Sequence, residues 1–436
     1  MEALIAGLVI LLLVVLFLGL GFWIFSGLFL VSVGGLVLLE GMPLERIGII
    51  ATNIIYSYSS AWELAAIPMF IWMGEIIFRT DLSDRLFRGL SPLVDFIPGR
   101  LLHTNIMGCT LFAAVSGSST ATTATVGKIT TGELSRRGYD SNLSIGSLAG
   151  AGSLGLLIPP SIVMIIYGIL AEVSISRLFA AGILPGLLVA AVYSTYIMIR
   201  AGLDPSKSPR GAERYSLRDR LYGVVNLLPV FFLVIIVLGS IYSGIATPSE
   251  AAAVGVAGAV LVTLALRQLT LEIFLESLKG ALRTSCMVCS ILIAAAFLST
   301  AMGYLGIPRN LAEAITGMNL SPIALILILS LFYVMLGLFL DGISIIVMSL
   351  PITLPLVTMA GFDPVWFGVY LVLMTELAQV TPPIGFNLFV IQGLTGHPIG
   401  KVALAAFPFF LLMCLSVVII TIFPEIALWL PEVLFG

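Results

Sequence analysis

The chain has few charged residues. Of its 436 residues only 10% are Asp, Glu, Lys or Arg, whereas 59% are hydrophobic, and the mean hydropathy is +1.15. A soluble domain needs about 25% charged residues to cover its surface. The composition therefore excludes an ordinary soluble domain and predicts an integral membrane protein.

Histidine, cysteine and basic residues are scarce as well. His103 and His397 lie far apart in the sequence, so we expect neither a Ser-His-Asp triad nor a histidine metal site. Cys286 and Cys289 stand in an apolar segment without a second pair, which favours two small residues one turn apart on a membrane helix. A net charge of −3 argues against nucleic acid as a partner, and the chain lacks the phosphate loop of an ATPase. These absences indicate a transporter rather than an enzyme, and the apolar spans argue against the polar pore of a channel.

Apolar segments of about 20 residues, the length that crosses a bilayer as a helix, recur along the chain. They lie at 4–20, 22–39, 63–79, 144–170, 177–200, 224–243, 250–266, 285–304, 367–395 and 403–430. Two further apolar segments, 101–127 and 322–357, are interrupted by small residues, glycine and proline. We expect these two to be re-entrant hairpins, which gives an all-α protein with about ten transmembrane helices and two hairpins.

Charge predicts how the chain is oriented. The polar linker 203–222 is rich in Lys and Arg and is therefore expected on the cytoplasmic side. When the predicted spans are traced across the membrane in both directions from this linker, both termini are expected outside. Of the 20 basic residues, only Arg46, Arg177 and Arg309 then fall on the outer side. The amphipathic segments 81–99 and 269–283 are predicted to be arm helices along the cytoplasmic surface.

The halves 1–202 and 223–436 repeat a pattern. Gly138-Tyr139-Asp140 precedes Pro159-Pro160 by 21 positions, and Gly361-Phe362-Asp363 precedes Pro382-Pro383 by the same 21. Each half has five spans and a hairpin, and because five is odd the second copy enters the membrane upside down. The pattern predicts inverted repeats with broken helices at 144–170 and 367–395. A chance duplication of the proline pairs is the weaker interpretation.

Small and hydroxylated residues fill the first hairpin, where positions 116–125 are all Ser, Gly, Thr or Ala. Hard cations prefer oxygen ligands, and half-helices offer free carbonyls at their C-termini and N–H groups for anions at their N-termini. Tight helix packing is the alternative explanation for one such residue, but ten in a row favour a binding site. The predicted residues are Ser116, Gly117 and Ser118 for the cation, and Ser119, Thr120, Pro159 and Pro160 for the solute.

A second site is predicted around the second hairpin and the second proline break. Its candidate residues are Gly337, Asp341, Gly342, Thr381 and Pro382 for the cation, and Asn387 for the solute. Asp341 could instead cap a helix, and Asn387 could instead bond two helices together. Glu376 is either a cation or proton site or part of a structural pair. Glu75 and Arg79 are expected to form an ordinary i,i+4 pair.

Five motifs together resemble the large membrane subunit of tripartite ATP-independent periplasmic (TRAP) transporters. They are SGSSTATTATVG at 116–127, GLLIPPS at 155–161, ATPSEAA at 246–252, GFDP at 361–364 and TPPIGFNL at 381–388. Each motif is weak alone, but their order and spacing cover essentially the whole chain.

The resemblance implies an elevator-type secondary transporter of the bacterial inner membrane. It implies import of an organic acid of the dicarboxylate, sugar-acid or sialic-acid type, with Na⁺ as coupling ion and no other cofactor. It also implies a small membrane subunit as a separate chain and a soluble periplasmic solute-binding protein, without an ATPase. A stand-alone sodium- or proton-coupled carboxylate carrier of the same architecture is the alternative.

Overall fold

The structure is a computed structural model that describes residues 13, 16–17, 20–209, 215–308, 310, 321–338, 340–381 and 385–436. Within these residues the secondary structure is helical and contains no strand. The helices of the first half are α1 (Ile24–Leu38), α2 (Leu44–Ser59), α3 (Ala66–Phe78), α4 (Leu82–Val94), α5 (Leu102–Ser116), α6 (Ser119–Arg136), α7 (Ser141–Gly152), α8 (Ile162–Leu170) and α9 (Ile175–Leu203).

The second half continues with a similar series. Its helices are α10 (Leu217–Tyr242), α11 (Pro248–Ala265), α12 (Leu271–Tyr304), α13 (Pro322–Gly337), α14 (Gly342–Met359), α15 (Pro364–Val380), α16 (Phe386–Thr395), α17 (Ile399–Ile422) and α18 (Glu425–Phe435). Short 3₁₀ turns lie at Trp62–Ala65 and Pro205–Lys207. By length and composition, six helices of the described residues can cross a membrane, or seven if the bent pair Leu44–Ser59 and Trp62–Phe78 is one span. The predicted all-helical membrane class is confirmed.

The predicted hairpins and broken helices correspond to four helix pairs. The first hairpin is α5 and α6, and the first broken helix is α7 and α8. The second hairpin is α13 and α14, and the second broken helix is α15 and α16. These four names are used below.

Several predicted boundaries differ from the structure. Helix α2 lies between the spans predicted at 22–39 and 63–79, and the span predicted at 403–430 is two helices, α17 and α18, which meet at Phe423-Pro424. The arm helix expected at 269–283 and the span expected at 285–304 form a single helix, α12, which runs without a break from Leu271 to Tyr304. The junction Arg283-Thr284-Ser285 contains neither glycine nor proline, so nothing in the local sequence ends the helix there. The other arm helix, expected at 81–99, is α4 at Leu82–Val94.

The repeated Gly-aromatic-Asp motif ends one helix and starts the next. Gly138 and Gly361 adopt left-handed conformations, with φ of 75° and 87°, which glycine allows at little cost. Asp140 then accepts a 2.8 Å hydrogen bond from the Leu143 N–H at the start of α7. Asp363 accepts a 2.7 Å bond from the Val365 N–H at the start of α15. Both broken helices therefore begin with the same turn and cap.

The helices pack in two groups. The first group, called the scaffold below, contains α1, α3, α4, α10, α11 and α12, which pack on one another in pairs. The second group, called the core group below, contains the two hairpins and the two broken helices, α5–α8 and α13–α16. Here each hairpin packs both on the broken helix of its own half and on that of the other half. Helix α16 packs on α6, and α14 packs on α8. The two halves are thus interleaved rather than side by side.

Two scaffold helices touch through a glycine pair. A Cβ atom at Gly223 of α10 would lie 2.7 Å from the backbone oxygen of Gly89 in α4, and a Cβ at Gly89 would lie 2.8 Å from that of Gly223. Such close backbone approach is typical of small residues at membrane helix interfaces.

Substituting Gly223 with alanine is expected to destabilise the protein by about 1–3 kcal/mol, because the new methyl group meets backbone that cannot rotate away. The measurement is denaturant unfolding of the purified protein in detergent. Gly239, on the same helix, has open space around it and provides the matched control: G239A should be neutral or stabilising by up to about 1 kcal/mol. Equal effects of the two substitutions would contradict the close contact.

Candidate functional site

The tip of the first hairpin is a two-residue turn. Helix α5 ends at Ser116, Gly117 has a left-handed φ of 59°, and Ser118 is the N-cap of α6. A Cβ at Gly117 would lie 2.8 Å from the carbonyl oxygen of Pro160, so both its conformation and its surroundings require glycine. The Ser116 hydroxyl lies 2.8 Å from that of Thr122, which ties the two helices together below the turn.

The tip of the second hairpin is organised around Asp341. Helix α13 ends at Gly337, and Asp341 caps α14 by accepting hydrogen bonds from the Ile343 N–H at 3.2 Å and from the Ser344 hydroxyl. Gly337 packs on Ala378 of α15, where a Cβ would lie 2.0 Å from the alanine methyl. The structure thus shows the capping role of Asp341, while its role toward a cation stays a prediction.

The two tips face one cavity of about 720 Å³. The core group contributes both tips together with Leu156, Gln379 and part of α16 to its wall. The opposite wall is formed by scaffold helices α3 and α12, including Glu75, Phe78 and Thr284. The cavity therefore lies on the boundary between the two groups of helices.

The predicted site residues divide into two sets. The residues that line the cavity are Ser116, Gly117, Ser118, Ser119, Thr120, Asp341 and Gly342. The described residues that lie behind its wall are Pro159, Pro160, Gly337, Thr381 and Asn387. Pro382 lies outside the described residues. None of these positions has been tested as a ligand, so the assignments to cation and solute stay predictions.

The electrostatics of the cavity follow from the helix ends that reach it. The first turns of α6 and α14 line it with Ser119–Ala121 and Gly342–Ile343. Ser118 and Asp341 already accept from the Ala121 and Ile343 N–H groups, so attraction of an anion would come from the helix dipoles and the remaining N–H groups. The end of α5 at Ser116 brings a helix C-terminus, whose carbonyl oxygens suit cations. Asp341 adds a carboxylate. The cavity thus presents groups for both a cation and an anion.

A buried hydrogen-bond network lies behind the first tip. The Glu376 side chain accepts hydrogen bonds from the Leu156 N–H at 2.8 Å and the Ser119 hydroxyl at 2.9 Å. The Asn387 Nδ2 group donates a 2.7 Å bond to the same Ser119 oxygen. Both Glu376 and Asn387 are fully buried. The network joins the two halves of the chain.

Sequence reasoning missed Gln379 as a cavity residue. It is only 7% exposed, and it lines the cavity at the end of α15. The sequence does contain a pattern that indicates it. Gln379 lies three residues after Glu376 in a mostly apolar helix, and side chains at this spacing are neighbours on the helix surface. The expected pair of Glu75 and Arg79 is confirmed, with 3.0 Å between the Glu75 Oε2 and Arg79 Nε atoms. That Glu75 lines the cavity was not predicted.

A second cavity of about 1150 Å³ lies between α4, α6 and the start of α10. It is lined by five basic residues, Arg79, Arg88, Lys128, Arg136 and Arg137, and by four acidic ones, Asp81, Asp84, Glu133 and Asp219. The positive-inside rule predicts the cytoplasmic side for such a cluster of basic residues. Both cavities include Phe78 and Ala124 in their walls. The cavity between the tips therefore adjoins this second cavity, for which the orientation predicted from the sequence is the cytoplasmic side.

An all-helical membrane protein in which two hairpin tips bring polar groups to one largely apolar cavity has the architecture of a secondary transporter. The family model described as tripartite ATP-independent periplasmic transporter, DctM component, matches residues 6–426. The chain belongs to this family, and it is a large permease component of a TRAP transporter.

Individual relatives agree with this assignment. The chain is 35% identical over 383 residues to the C4-dicarboxylate TRAP transporter large permease protein of Pseudomonas aeruginosa, covering 87% of this chain and 88% of the relative. It is 32% identical over 418 residues to the isethionate TRAP transporter permease protein of Oleidesulfovibrio alaskensis, covering 95% of this chain and 64% of that longer relative. The fold is also similar to the crystal structure of the YdaH transporter of Alcanivorax borkumensis, with a TM-score of 0.60, 11% identity and 88% of each chain covered.

Proposed function

We propose that this permease imports an organic acid across the bacterial inner membrane, driven by sodium and fed by a periplasmic solute-binding protein. A small TRAP subunit encoded as a separate chain completes the transporter. The observation that carries the proposal is the single cavity to which both hairpin tips contribute. It offers hydroxyls, helix N-termini, a carboxylate and an amide inside an otherwise apolar protein.

The solute class follows from the donors of the cavity. The N-terminus of α6, the hydroxyl of Thr120 and the amide of Gln379 can bind a carboxylate or a similar anionic group without an arginine, and Ser119 lies in the same wall of the cavity. Two relatives are described as permeases for C4-dicarboxylates and for isethionate, which are small organic anions. An organic acid is therefore the substrate class that fits both the cavity and the family.

The cation is assigned to the ends of the hairpin helices. The carbonyl groups at the end of α5, the hydroxyls of Ser116 and Ser118, and the Asp341 carboxylate are oxygen ligands of the kind that Na⁺ accepts. Gly337 and Gly342 allow the second tip to approach the same region. Thr381 and Pro382 would complete this site from the second broken helix.

An elevator movement fits the division into two groups of helices. At the cavity, scaffold helix α3 approaches the first tip so closely that a Cβ at Gly74 would lie 3.2 Å from the Ser116 carbonyl oxygen. A glycine at this contact leaves a smooth surface along which the core group can slide as a unit. The cavity at the boundary between the groups would then face alternate sides of the membrane.

The proposal is tested by uptake into proteoliposomes that contain this chain, its small subunit and candidate binding proteins. Radiolabelled C4-dicarboxylates, isethionate, sugar acids and sialic acid form the panel, with an inward sodium gradient or an equal potassium gradient as control. We expect uptake of an organic acid only when both partners and the sodium gradient are present. Robust uptake by this chain alone would overturn the tripartite proposal and favour the stand-alone carrier.

A further inference from the structure

Glu376 is a buried carboxylic acid whose environment is unusual for a membrane protein. It lies on α15, is 0% exposed, and makes no ion pair with any described residue. Placing an ionisable side chain at such depth is expensive, so its partners indicate why it is there. These partners are hydrogen-bond donors of the first half of the chain.

The two oxygens of Glu376 contact two different elements. Its Oε1 atom accepts from the Leu156 N–H at 2.8 Å, in the segment that joins α7 and α8. Its Oε2 atom accepts from the hydroxyl of Ser119 at 2.9 Å, at the tip of the first hairpin. One side chain of the second broken helix therefore bridges the break of the first broken helix and the first hairpin tip.

Ser119 extends the same network to two more elements. Its oxygen accepts from Asn387 Nδ2 of α16 at 2.7 Å and lies 2.9 Å from the carbonyl oxygen of Gly152 at the end of α7. Gly155 permits this approach, because a Cβ there would lie 2.4 Å from the Ser119 Cα. The hydrogen bonds thus converge on the residue that begins α6.

We infer that Glu376 is a positioning residue that clamps the first hairpin tip onto the second broken helix, so that the tip and Gln379 face the same cavity. Gln379 lies three residues further along α15 and lines that cavity. The contacts that orient α15 at Glu376 therefore also orient the amide of Gln379. The inference rests on the proposed function, because it concerns how the solute cavity is held together.

The clamp requires hydrogen bonding but no negative charge, which separates it from a cation or proton site. In E376Q the amide oxygen can accept from the Leu156 N–H, and the amide nitrogen can donate to the Ser119 hydroxyl. The Ser119 hydroxyl can then donate to the Gly152 carbonyl. E376A removes both bonds. The Ser119 hydroxyl can still donate to the Gly152 carbonyl, but the Leu156 N–H is left without its partner.

Uptake by the reconstituted three-component transporter tests the clamp. For E376A we expect a fall of about tenfold or more in the maximal rate, with raised half-saturation for solute and for sodium. E376Q should stay within about twofold of the unmodified protein and keep its sodium dependence. T375V is the matched control, since the neighbouring Thr375 hydroxyl bonds only to Leu371 of its own helix, and it should leave uptake unchanged.

Either of two results would overturn the inference. If E376Q is as impaired as E376A, the charge rather than the clamp matters. If E376A transports like the unmodified protein, Glu376 has no role in transport. Should E376A fail to fold, S119A removes the Glu376–Ser119 bond from the other side. Because Ser119 is also a predicted solute ligand, the clamp is then judged in S119A by amide exchange and not by uptake.

Hydrogen–deuterium exchange of the purified permease in nanodiscs separates the clamp from the proposed function. Amide protection at residues 117–121 and 154–157 should fall in E376A and S119A but remain in E376Q. This readout needs no transport. If the unmodified protein imports no organic acid, the proposed function fails while the exchange data still decide whether the clamp exists; unchanged protection in E376A would refute it.

Discussion

Replacing Asp341 with asparagine is expected to lower solute uptake by about 10- to 100-fold, the effect of removing one charged hydrogen-bonding group from a polar site. Asparagine caps a helix about as well as aspartate does, so α14 should keep its start at Gly342. The substitution therefore removes the charge while leaving the tip folded. D341A, which removes cap and charge together, should lower both uptake and stability.

The measurement is sodium-dependent uptake at several sodium concentrations, together with the unfolding midpoint in detergent. D363N is the matched control, because Asp363 caps α15 in the same way but does not line the cavity. We expect D363N to keep its uptake. Normal uptake by D341N would show that Asp341 is only a cap and would remove it from the cation site.

Replacing Gly155 with alanine is expected to lower uptake by up to about 100-fold, since small displacements of binding groups have effects of that size. The new Cβ would lie 2.4 Å from the Ser119 Cα, 2.7 Å from its nitrogen and 2.8 Å from the Ser118 carbonyl carbon. All three are backbone atoms of the first hairpin tip, so no side-chain rotation can relieve the clash. The first hairpin tip therefore has to move away from the segment that joins α7 and α8.

Sodium-dependent uptake and its half-saturation constants are the measurements for G155A. G393A is the control in the same group of helices, because Gly393 has open space around it on α16; it should transport normally and be slightly more stable. If G155A transports as well as G393A, the close contact between the first hairpin tip and the segment that joins α7 and α8 is contradicted.

Local patterns predicted the elements of this protein well. Hydrophobic runs of spanning length, small residues and paired prolines indicated spans, hairpins and broken helices, and the described helices other than α2 lie in those places. The repeated Gly-aromatic-Asp motif was found by spacing alone, and the structure explains it as a left-handed turn followed by an N-cap. The resemblance to TRAP permeases is confirmed by the family match. The division at 203–222 into two inverted halves stays a prediction.

Boundaries and burial were harder to predict. The change from an amphipathic to an apolar pattern near 284 predicts the end of a helix, but the backbone continues through it, and 269–283 and 285–304 form the single helix α12. Pro159 and Pro160 were assigned to the solute, but they lie behind the first tip, where the Pro160 carbonyl closely approaches Gly117. A break in a helix marks the region of a site without showing which atoms face it.

The sequence by itself determined the membrane class, the family and the two polar tips, because composition, periodicity and proline breaks are properties of neighbouring residues. The tertiary structure decided which polar groups meet. Ser119 and Glu376 are 257 positions apart, and Gln379 of α15 lines the same cavity as the first hairpin tip. Contacts of this kind depend on how the two halves of the chain interleave. The free energy of burying hydrogen-bonded polar groups together is a property of the packed protein, because no single segment contains both partners.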